Sequence, residues 1–501
     1  MKEEDGRGFN EMKKDNRNLK YGGFSIVITV LVIVAVLIAN VLATYIESNN
    51  GLKIDFTPTS SYTLDNNAKS ALKDLDKDVV IYTFIPNGQA STYSNLTTNI
   101  ATMFDGASDK VTYVNVDPVV NPSKLQQFSS DIKELKTYAV VVCQKDNEAN
   151  YHAYNESELV EYNSKTYKNY FVLQRWITSA LVYLRTGIRP NVYILTGHGE
   201  VIDETCETML NRIRRENFSV QEISLLTGQQ KLQQGDILVI LEPKSDLSKN
   251  EYDQIIKFLD TDYGRMLFLC SKLKDDAGNT LKNYSNILEY FHITLNDGVV
   301  AETDLNHRSA ASAKMIELVA DQVHDISALV RSAGEPVWVS ESASYSFIDD
   351  KQLVTGTHTE TFEPVLTSYA SSVLVPWALS VNFEASDYKK GVNNIACAYE
   401  RTNTVISGDL NTTTTRILLC GSTSVATGDY LGNANILRNG MNWLAGREAS
   451  DGLVNIGIDL TTSYVQLSQL EMQVWFGILV VAVPAIIFVA GVVVWIRRKN
   501  L

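Results

Sequence analysis

The chain has 501 residues, 45% of them hydrophobic and 20% charged. That is too apolar for a disordered chain and long enough for two to four globular domains. Its 44 Lys and Arg stand against 58 Asp and Glu, a formal charge of −14 with a sequence pI near 5.0, so no basic footprint speaks for nucleic acid as a partner. Mean hydropathy of −0.07 describes a soluble protein on average, but the apolar residues are very unevenly spread.

A polar tail, residues 1–23, leads into residues 24–45 (FSIVITVLVIVAVLIANVLATY), and a second apolar run, 474–496 (VWFGILVVAVPAIIFVAGVVVWI), precedes a short tail, 497–501. Neither run contains a charged side chain. Each exceeds the roughly 20 residues a helix needs to cross the hydrocarbon core. Trp475 and Trp495 stand at the two ends of the second run, as at membrane interfaces. The first run could instead be a cleaved signal peptide with Val41-Leu42-Ala43 at its cleavage site, but it is longer than the usual apolar region of such a peptide. The expectation is therefore two transmembrane helices in the lipid bilayer of the plasma membrane. Lys13, Lys14, Arg17 and Lys20 precede the first, Arg497, Arg498 and Lys499 follow the second, and no Lys or Arg lies between Glu448 and Trp475. By the positive-inside rule both termini are cytoplasmic, and residues 46–473 form one large extracytoplasmic loop. Residues 1–45 carry six basic and five acidic side chains and the last segment three basic ones, which leaves this loop 35 Lys+Arg against 53 Asp+Glu, a net −18.

Between the spans the chain reads as serial α/β units. DVVIYTFI (78–85), VTYVNV (111–116) and YAVVVC (138–143) are strand-like and alternate with a polar helical stretch and a helix over 121–135, which predicts a mainly parallel sheet covered on both faces. This order suits a thioredoxin-like domain over residues 46–187, but there is no CxxC, and redox work by a dithiol needs both sulfurs. TYKNYFVLQRWITSALVYLRTG places Trp176, Ile177, Ala180, Leu181 and Leu184 at helical spacing with Gly187 to stop the helix, closing the first domain. Residues 188–450 form a second α/β domain. NVYILTGHGE is a strand and turn, and the following helix has Cys206, Met209, Leu210 and Ile213 on one face and Arg212, Arg214 and Arg215 in its last turn, complementing the helix dipole. FSVQEISL, DILVILEP and GRMLFLC are strands, the last two separated by a helix capped by Ser248. A flavodoxin-like or amidotransferase-like layered fold accounts for this order. From about residue 300 an inserted or appended subdomain is expected, with strands in EPVWVS, SVLVPWALSV and RILLCG and a helix in NANILRNGMNWLAG; residues 451–473 lead into the second span.

The candidate ligand-binding turn is Gly197, His198, Gly199 and Glu200, between a strand and a helix, where open α/β sheets bind ligands and helix N-termini meet anions. His198 could ligate or act as acid or base, oriented by Glu200. The competing reading is a structural turn, with the acids answering the helix dipole. Asp203, Glu204 and Glu207 invite a metal, but a solvated helix start explains them with fewer assumptions. No GxSxG, GxxxxGK[ST] or HExxH occurs, and Cys270 lies between Leu269 and Ser271, where a nucleophile on a strained turn would need glycine neighbours. The five cysteines show no metal spacing and read as buried thiols. No catalytic residue, metal or cofactor is therefore expected. A membrane-tethered hydrolase or amidotransferase using the 197–200 turn is the alternative.

The pieces LKIDFTPTSSYTLDNNAKSALKDLDKDVVIYTF, VNVDPVVNP, LQRWITSALVYL, VYILTGHGE, DILVILEP, NANILRNGMNWLAGRE and the closing apolar helix, in this order, resemble the GldG-like auxiliary subunits of ABC transporters, a bacterial family named for gliding motility. Its domain is also similar to one in intraflagellar transport proteins that serve as scaffolds. The resemblance implies a non-catalytic membrane subunit working with a permease and a separate cytoplasmic ATPase, with an external body that binds substrate or envelope partners.

Overall fold

The structure, a computed structural model, describes residues 63–460 except 90, 130–133, 164–166, 188, 201, 203, 217, 227–230, 321–323, 333, 349–351, 379–384, 407–412, 427–429 and 448–456, together with Val34, Ile38, Val494, Ile496 and Arg497. The two expected spans lie outside the described residues but for these isolated positions, as does most of the 451–473 lead-in. No helix among the described residues is long and apolar enough to cross a membrane.

The first sheet is built around β1 (Val79–Thr83), a short apolar strand buried at Val79, Val80 and Ile81. It runs parallel to β2 (Val111–Asn115) and antiparallel to β3 (Val140–Gln144), which pairs antiparallel with β4 (Asn147–Tyr154), in the order β2-β1-β3-β4. Ahead of β1 lies α1 (Asn66–Lys73), whose N-terminus Asp65 caps by accepting the Ala68 N–H at 2.7 Å. The connection from β1 to β2 is α2 (Thr92–Ala107), opened by a Ser91/Ser94 capping box. The connection from β2 to β3 carries α3 (Pro122–Gln127), shorter than the helix expected over 121–135.

The sheet is mixed, not mainly parallel. Only Lys145 and Asp146 separate β3 from β4, and so short a link permits an antiparallel hairpin alone. The polar run NEANYHAY conceals this edge strand, since it signals its inner face only through Tyr151 and Ala153. A second hairpin, β5 (Val160–Asn163) and β6 (Lys168–Phe171), takes up what the sequence assigns to the start of a helix. Its aromatic residues favour a pleated strand. The helix itself, α4 (Leu173–Thr186), starts later and ends at Gly187, whose φ of +64° and N–H bond to the Tyr183 carbonyl at 2.7 Å stop it.

The second sheet has the path β14-β13-β17-β19-β20-β10-β9-β7-β8. Its parallel half runs β8 (Ser219–Ile223), β7 (Asn191–Leu195), β9 (Ile237–Leu241), β10 (Arg265–Leu269) and β20 (Thr414–Cys420). The ILVIL of β9 is buried on both faces: Ile237, Val239 and Leu241 join one core, Leu238 and Ile240 the other. Period-two alternation between two covered faces turns a central parallel strand into a continuous apolar run. On one face pack α5 (Glu204–Arg215), α8 (Asp325–Ser332) and α9 (Leu431–Leu444); on the other pack α6 (Lys249–Ile256) and α7 (Lys282–Tyr290).

Beyond β20 the sheet continues antiparallel through β19 (Asn394–Asn403), β17 (His358–Thr367), β13 (Met315–Ala320) and β14 (Val337–Ser340). Most strands after residue 300 thus belong to the same sheet, and one of them is its fifth parallel strand. Smaller pairings are β11 (Ile293–Asn296) with β15 (Ser344–Phe347), β12 (Val299–Glu302) with β18 (Ser372–Val375), and β16 (Gln352–Val354) with β17. The strand expected in SVLVPWALSV stops at Val375, just before Pro376. Finally β21 (Ile458–Asp459) returns to pair with β6.

Buried charge joins the two halves. Arg175 of α4 holds Glu161 of β5 through two contacts, at 2.5 and 3.3 Å, while Arg438 of α9 reaches Glu216 at 2.6 Å and Glu161 at 3.5 Å. Burial pushes the Glu161 carboxyl up, but the two guanidinium groups outweigh it and hold the pKa at about 2. Burial, with Arg175 nearby, pushes Arg438 down to about 10.

Candidate functional site

The parallel half has the order 2-1-3-4-5 when its strands are numbered as they occur, and connections leave in opposite directions on either side of the β7–β9 pair. The crevice beyond the carboxyl ends of β7 and β9 is where such sheets place ligands. The Gly197–Glu200 turn and the loop after β9 both lie there.

After Thr196 donates to the Ile223 carbonyl at 2.9 Å, Gly197 at φ +117° and Gly199 at φ +74° bend the chain around His198. A Cβ on Gly199 would come within 3.1 Å of the Lys244 Cβ, so this turn needs glycine both for its dihedral and for its approach to the neighbouring loop. The His198 carbonyl accepts the N–H groups of Lys244 and Ser245 at 2.8 and 2.9 Å, which ties the two loops together.

The His198 side chain is 4% exposed and lies between two carboxylates. Its Nδ1 is 3.1 Å from Glu200 Oε1 and its Nε2 is 3.2 Å from Glu251 Oε1, while its backbone N–H donates to Glu200 Oε2 at 2.9 Å. Glu251 is itself committed: it is the third residue of the capping box of α6, accepting the Ser248 N–H at 2.8 Å. The Tyr284 ring stands edge-on to the imidazole at 6.1 Å. Burial pulls the His198 pKa down, but the Glu200 hydrogen bond and the Glu251 charge outweigh it and hold it above the ordinary value. Burial pushes Glu200 up, and the His198 bond with the backbone amides brings it below the usual carboxylate range.

While it is protonated, the imidazole faces a carboxylate at each nitrogen, Glu200 across a hydrogen bond and Glu251 at ion-pair distance, and in that state it has no lone pair to take a proton or bind a metal. The acids named in the sequence do not join it: Glu207 is exposed and bonds Arg214 at 2.8 Å, and Asp203 and the Glu204 side chain lie outside the described residues. Among the described residues no group of three or more His, Cys, Asp or Glu is placed to hold a metal ion. Cys270 is buried as well. Burial holds its thiol well above the usual range, and it donates to the Lys272 carbonyl at 3.4 Å. All five cysteines are buried and free.

Sequence reasoning missed Glu242 and Glu251. Glu242 ends β9 at φ +40°, and its two oxygens accept the Ser271 N–H and Oγ–H at 2.8 and 2.6 Å, joining the carboxyl ends of β9 and β10. No sequence signal marks it. Glu251 could have been found from Ser248-x-x-Glu251. Beside Ser271 a cleft of about 130 Å³ opens between Lys272, Asn296 and Trp377.

No known family's sequence pattern matches the chain, and no curated protein does. Among solved structures the chain is similar to the mmIFT52 N-terminal domain, with a TM-score of 0.35 at 15% identity, over 51% of this chain and 96% of that one. It is also similar to a ThuA-like protein from Bacteroides uniformis ATCC 8492, with a TM-score of 0.27 at 10% identity, over 51% of this chain and 91% of that one. Scores of this size carry no argument about function.

Proposed function

We propose that the chain is a non-catalytic auxiliary membrane subunit of an ABC transport system, anchored beside the permease by residues 24–45 and 474–496, with its α/β body outside the membrane to bind a ligand or an envelope partner. The observation that carries the non-catalytic part is His198: the one histidine at the switch point has both ring nitrogens against buried carboxylates and serves to lock two loops. The transport part rests on the ordered segments that resemble the GldG-like subunits, and the membrane part on the two uncharged runs. The order β2-β1-β3-β4 with β3 alone reversed supports a thioredoxin-like first domain without its dithiol. The order β8-β7-β9-β10-β20 supports a flavodoxin-like second domain.

Affinity purification of the full chain from its native membrane in mild detergent, followed by mass spectrometry, should recover a multi-span permease and a P-loop ATPase. Their reproducible absence overturns the transport reading. Loss of an enzymatic activity in His198→Ala at unchanged thermal stability and unchanged complex recovery overturns the non-catalytic one.

A further inference from the structure

The first domain contains a cavity of about 160 Å³ at the open edge of its sheet. Phe128 and Leu135, both buried, line it with Tyr151, His152, Ala153 and Tyr183. This lining is fixed: the Tyr151 hydroxyl donates to the Phe128 carbonyl at 2.6 Å, the Phe128 and Tyr151 rings meet edge-on at 5.2 Å, and Tyr183 meets His152 edge-on at 4.6 Å. Arg189, an exposed residue, also lines the cavity and is in no ion pair among the described residues, and no carboxylate is among the residues that line it.

We propose that this cavity is a binding site for a small carboxylate with a ring-sized apolar body. A volume of about 150 Å³ holds one benzene ring, and drug-sized ligands need roughly 300 Å³ or more, which sets the size of the guest. The Phe128, Tyr151 and Tyr183 rings in the lining suit an aromatic ring as the body of the guest, and the polar groups that share the lining, His152 among them, can meet its substituents. Arg189 selects the other end: its planar fork matches a carboxylate and repels a cation. The site deepens the reading of the external body as a ligand binder and rests on that reading for its purpose, while its chemistry stands on the cavity alone.

The test uses the full chain in lipid nanodiscs with 4-fluorobenzoate as probe, observed by fluorine NMR. The expected result is saturable binding, competed by benzoate and phenylacetate but not by benzylamine or acetate. Arg189→Gln should weaken it about tenfold, the loss of one charge-assisted bond. Ala153→Leu, which fills the cavity, should abolish it, and since Arg189 is exposed the first variant decides the matter should the second fail to fold. The proposal is overturned if no binding appears up to about 10 mM, a dissociation constant beyond any useful affinity. It is equally overturned if benzylamine competes as well as benzoate, or if Arg189→Gln binds as the parent does. Recovery of a permease without ring-acid binding sinks this proposal alone; ring-acid binding without a permease sinks only the transport reading.

Discussion

Two knots of buried charge hold this molecule, and they differ in reach. The one at the switch point is local in construction: a glycine-bracketed turn supplies His198 and Glu200, and the first turn of the next helix on that side supplies Glu251. The one at the junction draws Glu161 and Arg175 from the part of the chain that carries the first sheet and Glu216 and Arg438 from the part that carries the second, so residues far apart in the chain must meet before all of them are satisfied. The switch-point knot closes a place where ligands usually bind. The junction knot links the segments of two sheets whose apolar core clusters are distinct. Buried ion pairs add little net stability over apolar packing, yet removing one member leaves an uncompensated charge. The two knots should therefore fail differently when broken.

The largest effect is expected at the junction. Arg438→Leu leaves Glu216 buried without its 2.6 Å partner and takes one of two cations from Glu161. The expected loss is about 3–5 kcal/mol, read from the midpoint of denaturant unfolding. Adding Glu216→Leu should restore most of it, because an apolar pair of similar volume replaces the ionic one. A double variant no more stable than the single one would show that shape, not charge, is what Arg438 provides.

His198→Gln should cost less, roughly 1–3 kcal/mol, since an amide keeps some contact while the two carboxylates face each other less well neutralised. The sign of its pH dependence follows from the raised His198 pKa: the contribution is complete below about pH 6.5, the value in an unfolded chain, and is lost as pH rises through the folded value. Glu200, whose pKa is lowered, contributes in full above its ordinary value and loses that contribution as pH falls. The stability difference between parent and His198→Gln should therefore shrink on the alkaline side of about pH 6.5. Parallel stability curves from weakly acid to weakly alkaline pH would remove the charged imidazole from the account. A still smaller loss, about 1 kcal/mol, is expected for Ser248→Ala, which takes away one half of the capping box but leaves Glu251 beside His198.

The difference in reach also explains what could be read from the sequence. Short apolar runs marked β7, β9, β10 and β20, and the spacing of Cys206, Met209, Leu210 and Ile213 marked the buried face of α5, because each is a local pattern. The His198 turn was visible for the same reason, through its glycines. Ser248 was visible as a cap, but Glu251, three residues on, was not read as its capping-box partner or as the second partner of His198. The edge strand β4 escaped because one solvent-facing side dilutes its alternation, and the start of β6 escaped because Tyr170 and Phe171 fit helix and strand patterns alike. Glu242 and the junction residues left no trace at all: each is an ordinary charged residue until the fold brings its partner to it.

The smallest effect tests whether burial, and not mere pairing, sets the scale. On α6 the exposed pair Lys249–Asp253 meets at 2.5 Å, with side chains 73% and 58% exposed, each two residues along the helix from Glu251, whose side chain is fully buried. The distance is shorter than any at the His198 knot, and by contact length alone this pair would rank above it. In water both ions keep most of their hydration, salt screens them, and two long side chains lose rotamer freedom to stay together, so Lys249→Ala should change stability by no more than about 0.5 kcal/mol. That difference should fall further at high salt, whereas the Ser248→Ala loss should not. A Lys249→Ala effect as large as that of Ser248→Ala would mean that α6 is held by its surface, and the contrast between buried and exposed charge on this helix would collapse.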